Sequence, residues 1–397
     1  MALAHETKKA APAQTPAPTT TPQQTRSGGS KRGNAFAAEQ LAASQAAEGA
    51  ASDLQPRSGA DTRVGSFQLL GQTFGSLQAV HDWVVAQAAT PGSTVPHEPV
   101  LRVTLTPGAI LAASSTLWTH YSPGQKLVIE GNGATVSGER GGRPGPGYFL
   151  QYRPIVGAGT MDKPAAANFE MRGLTVSGFQ SGGVQINPLT AAPTEEDSHS
   201  WDGGNTAAIE GAILEGNRFE DLGSLHSKQK DVSWAKQQYG IGGIELHGVS
   251  NSLIKDNVFD DLENGTVKGA INKKKPKDQE KDNGEHLLHA IYVRDQSSGN
   301  RIEGNRFSDV SGDAIRFSNG SNDNTVVGNS AKNAGQGALI SEFYNPTAGE
   351  RDSTGNSWSG NDAGRVYARG KQRGKTRKAK TFDETVSHGK RPELERK

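Results

Sequence analysis

Along the second half of the chain a Gly-Asn or Asp-Asn pair keeps returning, and its asparagines fall at Asn217, Asn257, Asn305, Asn329 and Asn361. The intervals are 40, 48, 24 and 32 residues. A fixed local pattern with a variable excess between copies is the mark of a stacked repeat that carries insertions. The shortest interval, 24 residues, approaches the length of one coil of a parallel β-helix. Side chains of successive coils form columns, so stacked asparagines can relay amide hydrogen bonds from rung to rung. Asparagine also tolerates the left-handed backbone of a tight corner. The repeated Asn therefore reads as structural rather than catalytic.

The rest of the chain agrees with this pattern. Short apolar-alternating runs such as LRVTL at 101, KLVIEG at 126, GGVQI at 182, IGGIELH at 241, HAIYV at 289 and DAIRF at 313 follow one another with no strong helix between them, which excludes a βαβ plan. Glycine, at 50 residues, supplies the many turns. One helix is expected ahead of the strands, over 76–89, with Ser76 as N-cap and Leu77, Val80, Trp83 and Val84 as its apolar stripe. It would cap the N-terminal end of the apolar column.

A hydrophobic share of 33% and a mean hydropathy of −0.63 are low for a globule of 397 residues, so part of the length is expected to be unfolded. Residues 1–64, rich in Ala, Pro, Thr, Gln and Ser, read as a disordered leader with one Ala-rich stretch at 34–47. Residues 65–370 form the solenoid, and 371–397 a basic flexible tail, either solvated or anchored to polyanions. A net charge of +1 gives no footprint for specific nucleic-acid binding. The chain has no cysteine, which excludes disulfides and cysteine-based zinc sites. No apolar run has the length of a Sec signal or a membrane span, so a soluble protein is expected, exported if at all by a non-classical route.

Stacking also places chemistry. Aligning rungs by their apolar pairs puts Gln185, Glu245, Tyr292, Arg316 and Ile340 in one outward column and Asn187, His247, Arg294, Ser318 and Glu342 in a second. His289 and Asp313 fall at the preceding corner. Carboxylates, imidazoles, guanidinium groups and a phenol on one face suit an acidic polysaccharide. In a lyase reading, Arg316 or Arg294 neutralises a uronate while His289 or Tyr292 removes the α-proton. In a hydrolase reading, Asp313 works with Glu342 or Glu245. Non-catalytic glycan binding and a merely solvated face remain open beside them. The catalytic set is thus His289, Tyr292, Asp313 and Arg316, with Glu245, His247, Arg294 and Glu342 as substrate-binding residues. Insertions at 188–205, 224–238 and 263–287 flank this face, and their Trp201 and Trp234 could stack on sugar rings. No cofactor is required by the sequence, no metal ligand set is assigned, and calcium is compatible with the chemistry.

The stretch HAIYVRDQSSGNRIEGNRFSDVSGDAIRFSNGSNDNTVVGN, followed by ALISEFY, resembles the right-handed parallel β-helix repeat proteins of the pectate-lyase-like superfamily, and KLVIEGNGATVSG resembles an early coil of the same group. The resemblance covers residues 95–368 and implies an all-β, right-handed parallel β-helix. For activity it implies less, since the superfamily holds lyases, hydrolases, epimerases, tailspikes and non-enzymes. GDAIRF resembles the Gly-Asp-Asp-x-Ile element of polygalacturonases, but Ala314 stands where the second Asp belongs, and no Gly-His-Gly or Arg-Ile-Lys element follows. The Arg-x-Pro-x-x-Arg element of calcium pectate lyases is absent, with Arg153-Pro154 alone, as is the Asp-Pro-His-Glu of mannuronan epimerases. SKRGNAFAAEQL in the leader resembles N-terminal segments of proteins associated with bacterial contractile injection systems, which implies a partner in an export or injection apparatus and a spike-like structural role as the alternative function.

Overall fold

The computed structural model describes residues 65–139, 145, 147–157, 163–190, 207–224, 232–233, 241–264, 267–268, 288–334, 340–343, 350–363, 366–367 and 376–377. The leader over 1–64, its Ala-rich stretch, Trp201, Trp234 and nearly all of the three insertions lie outside them. So does most of the tail, although Thr376–Arg377 pairs antiparallel with Val366–Tyr367.

Three long sheets run along the solenoid axis. Sheet I has ten strands and includes Val100–Leu105, Lys126–Glu130, Phe169–Arg172, Ile213–Glu215, Leu253–Lys255, Arg301–Glu303, Thr325–Val327 and Ser357–Ser359. Sheet II has eight, from Ile110–Ala112 to Asp362–Ala363. Sheet III has seven: Thr116–Trp118, Tyr148–Tyr152, Gly182–Ile186, Gly242–His247, His289–Arg294, Ile315–Ser318 and Ile340–Phe343. The chain visits I, II and III in turn and then returns to I, pairing parallel with its own previous coil. Parallel strands joined by such crossovers wind right-handed, and the molecule is a right-handed parallel β-helix.

The repeat intervals now have a physical cause. From Asn305 to Asn329 the chain makes one bare coil, whereas the 40- and 48-residue intervals carry the excursions at 224–238 and 263–287, both leaving between sheets II and III. Each Gly-Asn or Asp-Asn marks the corner between sheets I and II. The left-handed residue there is the one before the asparagine: Gly216, Asp256, Gly304, Gly328 and Gly360 have φ of 64°, 53°, 65°, 64° and 60°. The expectation that Asn itself takes the corner is corrected, because its amide is needed inside.

That amide closes a buried ladder. Asn217 Nδ2 donates to Asn257 Oδ1 at 3.0 Å, Asn257 to Asn305 at 3.0 Å, Asn305 to Asn329 at 2.9 Å and Asn329 to Asn361 at 3.0 Å. Each Oδ1 also accepts the backbone N–H of the asparagine one coil earlier, at 2.9 Å throughout. A second ladder, Asn300–Asn324–Asn356, stands at the opposite end of the sheet I strands, with links of 3.0 Å. It follows the same rule, with Gly299, Asp323 and Gly355 left-handed before each asparagine. Beside the amides, Phe219, Phe259 and Phe307 stack in the core with ring centroids 5.0 and 5.1 Å apart.

The N-terminal end is closed by helix α1, Leu77–Ala88, whose Ser76 Oγ accepts the Ala79 N–H at 3.1 Å. Leu77, Val80 and Val84 are buried, and so is His81, while Trp83 is only partly covered and packs on Phe74. The helix also serves the open edge of sheet III. Gln78 Oε1 accepts the Leu117 N–H at 2.9 Å and His81 Nε2 accepts the Thr119 N–H at 3.2 Å. An unpaired edge is a template for aggregation, and here two side chains occupy it. Burial lowers the His81 pKa, consistent with a neutral ring whose Nδ1 proton faces Asp82 Oδ1 at 2.9 Å. Sheet I ends here in an antiparallel hairpin, Phe67–Leu69 with Gln72–Phe74, which supplies two of its ten strands. Among the described residues no helix is long and apolar enough to cross a membrane.

Asn305→Ala removes two donated and two accepted hydrogen bonds from a fully buried site. Each unsatisfied buried group costs about 1–3 kcal/mol, so urea denaturation should register a loss on the order of 3 kcal/mol or more.

Candidate functional site

The outer face of sheet III is built by strand register. Gln151, Gln185, Glu245, Tyr292, Arg316 and Ser341 stand in one column, and His247 pairs with Arg294 in the next. Up to Arg316 this is the expected alignment. The last rung is shifted by one residue: Ile340 pairs with Ile315, Ser341 with Arg316 and Glu342 with Phe317. Ile340, being buried against the core, fills the apolar slot above Ile315, and a one-residue slip turns every neighbour to the other face. Glu342 is therefore not on the outer patch. Its Oε1 accepts from Asn356 Nδ2 at 2.8 Å, at the end of the second asparagine ladder.

The outward side chains divide into two groups. The first is sealed. Glu245 is 0% exposed, and its Oε2 accepts from Tyr148 Oη at 2.7 Å and from Gln185 Nε2 at 2.9 Å. Its Oε1 lies 3.0 Å from His247 Nε2 and 3.7 Å from Arg294 Nη1. His247 Nδ1 lies 2.8 Å from Asp295 Oδ2, which is 3.2 Å from Arg294 Nε, and Asp295 Oδ1 accepts from Asn319 Nδ2 at 2.8 Å. Two carboxylates thus face an imidazole and a guanidinium, with Glu245 and Arg294 nearly out of water and the His247 and Asp295 side chains 13% and 22% exposed.

Reaching Glu245 from Tyr148 requires a bare surface. Tyr148, Gly182 and Gly242 share a column, and a Cβ on Gly182 would lie 2.6 Å from Tyr148 Cε1 and 2.0 Å from the Gly242 carbonyl oxygen. The paired glycines of GGVQI and GGIELH leave the trough in which the phenol ring lies.

The second group stands beside it on the same face. Asp313 and Arg316 side chains are 16% and 14% exposed, with Arg316 Nη1 at 3.6 Å from Asp313 Oδ2. His289 is buried, its Nδ1 accepts the Asp313 N–H at 3.0 Å, and its Nε2 lies 3.3 Å from Arg316 Nη1. The Tyr292 ring is half-buried and meets His289 edge-on at 5.1 Å. It lies between two guanidinium groups, Arg294 at 5.1 Å and Arg316 at 5.9 Å from its centroid. Ser318 Oγ donates to Tyr292 Oη at 3.1 Å.

Of the sequence-derived candidates, His289, Tyr292, Asp313 and Arg316 converge, and Glu245, His247 and Arg294 form the adjoining sealed cluster. Trp201 and Trp234 lie outside the described residues. Tyr148, Gln185, Asp295 and Asn319 complete the cluster and were not singled out as site residues. The paired glycines were a signal for Tyr148, but its partner is 97 residues away. Among the described residues no group of three or more His, Asp or Glu is placed to hold a metal ion.

Opposed effects set the protonation of the sealed cluster. Burial pushes the Glu245 carboxyl up, but the His247 and Arg294 charges and the Tyr148 hydroxyl outweigh it and bring it down to about 2. Asp295 is lowered in the same way, against its own burial, by His247, Arg294 and Asn319. Burial opposes a charge on His247, yet Glu245 and Asp295 raise it above 6.5. A depressed carboxylate stabilises the fold above its ordinary value and loses that contribution as pH falls through the folded one. A raised imidazole stabilises it below 6.5 and loses that contribution as pH rises through the folded value. The cluster should therefore contribute most between about pH 4.5 and 6.5. Urea titrations across this range should show wild type most stable relative to His247→Gln inside the window, with the difference shrinking toward alkaline pH. Glu245→Ala, which leaves buried cations uncompensated, should cost about 3–5 kcal/mol.

Comparison with known proteins places this architecture. A family model for the right-handed beta helix region matches residues 164–372, which include every outer-face candidate from Gln185 to Glu342. No curated protein matches the chain. Among solved structures the chain is similar to the Streptococcus pneumoniae surface protein and adhesin PfbA, at 13% identity and a TM-score of 0.33, over 74% of this chain and 76% of that one. With more than half of its length matched by the model, the chain belongs to the right-handed β-helix family.

Proposed function

We propose that this β-helix acts on an acidic polysaccharide lying along the outer face of sheet III, by a lyase-type elimination at Tyr292, Asp313 and Arg316. The observation that carries the reading is the half-open phenol of Tyr292 held between Arg294 and Arg316, with His289 and Asp313 beside it. Arg316 would pair with the uronate carboxylate, spreading its charge and acidifying the adjacent carbon. A base then takes the α-proton, the freed electron pair forms the ring double bond, the bond to the leaving glycosidic oxygen breaks, and that oxygen takes up a proton. His289 does not suit the base role, since its Nδ1 is occupied by the Asp313 N–H and its Nε2 faces Arg316 Nη1 at 3.3 Å. The Tyr292 oxygen is assigned as the base, acting as the phenolate, and the α-proton it takes then passes to the leaving glycosidic oxygen. A two-carboxylate hydrolysis is less well supported: Glu245 is sealed in ion pairs and Glu342 stands out of register, so neither expected partner of Asp313 faces the same opening.

Non-catalytic glycan binding is the second reading, favoured by a separate observation. Glu245, His247, Arg294 and Asp295 balance one another in a buried set, so half of the polar face serves as a scaffold. The spike-like role suggested by the leader concerns residues outside the described ones.

Incubation with a panel of uronate polysaccharides, followed by absorbance of the unsaturated product, separates the readings. Wild type should release product on at least one polymer, and Tyr292→Phe and Arg316→Ala should each lose about 100-fold or more in rate. Binding without product, lost in Arg316→Ala, would leave only the glycan-binding reading. Absence of both product and binding on every acidic polymer would sink the proposal.

A further inference from the structure

One cation on the same face stands apart from the balanced cluster. Arg153 follows the sheet III strand Tyr148–Tyr152, and its backbone N–H donates to Trp118 O at 2.8 Å. The Asn187 N–H on the next coil donates to Tyr152 O at 3.0 Å, which sets Arg153 in the column that continues through Asn187 to His247 and Arg294. Arg153 is part-buried, and its Nε is shut off from water with no hydrogen-bond partner. Burial lowers its pKa, and no carboxylate among the described residues offsets the effect. His247 and Arg294, by contrast, each face Glu245 and Asp295. The orphan also differs from the guanidinium groups of sheet I, where Arg102, Arg172 and Arg301 pair with glutamates at the surface.

A guanidinium partly withdrawn from water without a counter-charge costs free energy, which an anion docked against its outer N–H donors recovers. Thr119 and Asn187 flank Arg153 on the neighbouring coils, and Gln151 lies two residues before it, so its surroundings in the column are polar and uncharged. From Arg153 to Arg316 the strand order counts four rungs, or about 19 Å at ~4.8 Å per rung. A linear polyanion along the axis would meet an unbalanced cation at one end and the Tyr292 opening at the other.

We propose that Arg153 is a second subsite on this face, binding a sugar carboxylate several residues along the chain from the one at Arg316. The proposal deepens the acidic-polysaccharide reading and rests on it for the identity of the ligand, while the anion site itself stands on the unpaired guanidinium.

Thermal unfolding and calorimetric titration test it, with sodium glucuronate and an oligouronate as the added ligands. Glucose with sodium chloride at equal ionic strength is the control. Wild type should gain stability with glucuronate and not with the control. Arg153→Gln should unfold no earlier than wild type without ligand, lose that gain, and bind the oligouronate about tenfold more weakly. Arg153→Lys, which keeps the charge but not the fork, should fall between them. A ligand-free Arg153→Gln that unfolds earlier than wild type would assign the residue to the scaffold and overturn the subsite. So would a variant that keeps the full glucuronate response. Arg316→Gln separates the two readings. If it abolishes oligouronate binding while Arg153→Gln does not weaken it, this subsite fails and the main reading survives. If only Arg153→Gln loses the response, the subsite stands and the main reading fails.

Discussion

Buried amides at the corners hold this solenoid to its register. Each coil must turn sharply between sheets I and II, and a sharp turn leaves backbone groups that no strand ladder can satisfy. A left-handed Gly or Asp makes the turn, and the following asparagine spends its carboxamide on the coil below and the coil above. The Asn305 side chain accepts the Asn257 backbone N–H, donates to the Ile254 carbonyl and passes a third bond to Asn329. A shift of register by one residue would bury an unpaired amide and expose an apolar side chain in the same step, so the two ladders and the phenylalanine stack enforce one alignment.

That alignment is what gathers charges on sheet III. The sealed cluster joins residues from rungs at Tyr148, Gln185, Glu245, Arg294 and Asn319, which meet because the coils are stacked. Its balance of two carboxylates against an imidazole and a guanidinium allows it to be buried at all, since any one of these charges alone would be strongly penalised. Burial gives Tyr292 a fixed bed: Arg294, anchored from behind by Glu245 and Asp295, presents its guanidinium to one side of the phenol. Sheet I shows the contrast, with charged pairs at the surface that water screens and that contribute little.

Much of this was legible before any coordinates. The Gly-Asn and Asp-Asn spacing carried the coil length, and apolar alternation carried the outward columns from Gln185 to Arg316, because a strand's two-residue period is a local property. The second ladder is equally readable, since Gly299-Asn300, Asp323-Asn324 and Gly355-Asn356 obey the rule of the first. The last rung was misaligned because Leu339 and Ile340 are both apolar and parity alone does not choose between them. Only packing above Ile315 selects Ile340, and that choice moves Glu342 off the outer face.

The amino-acid order by itself determined the solenoid class, the capping helix with its Ser76 cap and the inventory of groups on sheet III, because each follows from interactions within a few residues or from a repeat of fixed period. Only the tertiary structure decided how deeply each of those groups is buried, that Tyr148 reaches Glu245 across two glycines, and that Arg153 stands without a counter-charge among the described residues. The reason is that burial and ion pairing depend on neighbours supplied by other coils, at sequence distances that vary with each insertion and that no local pattern records.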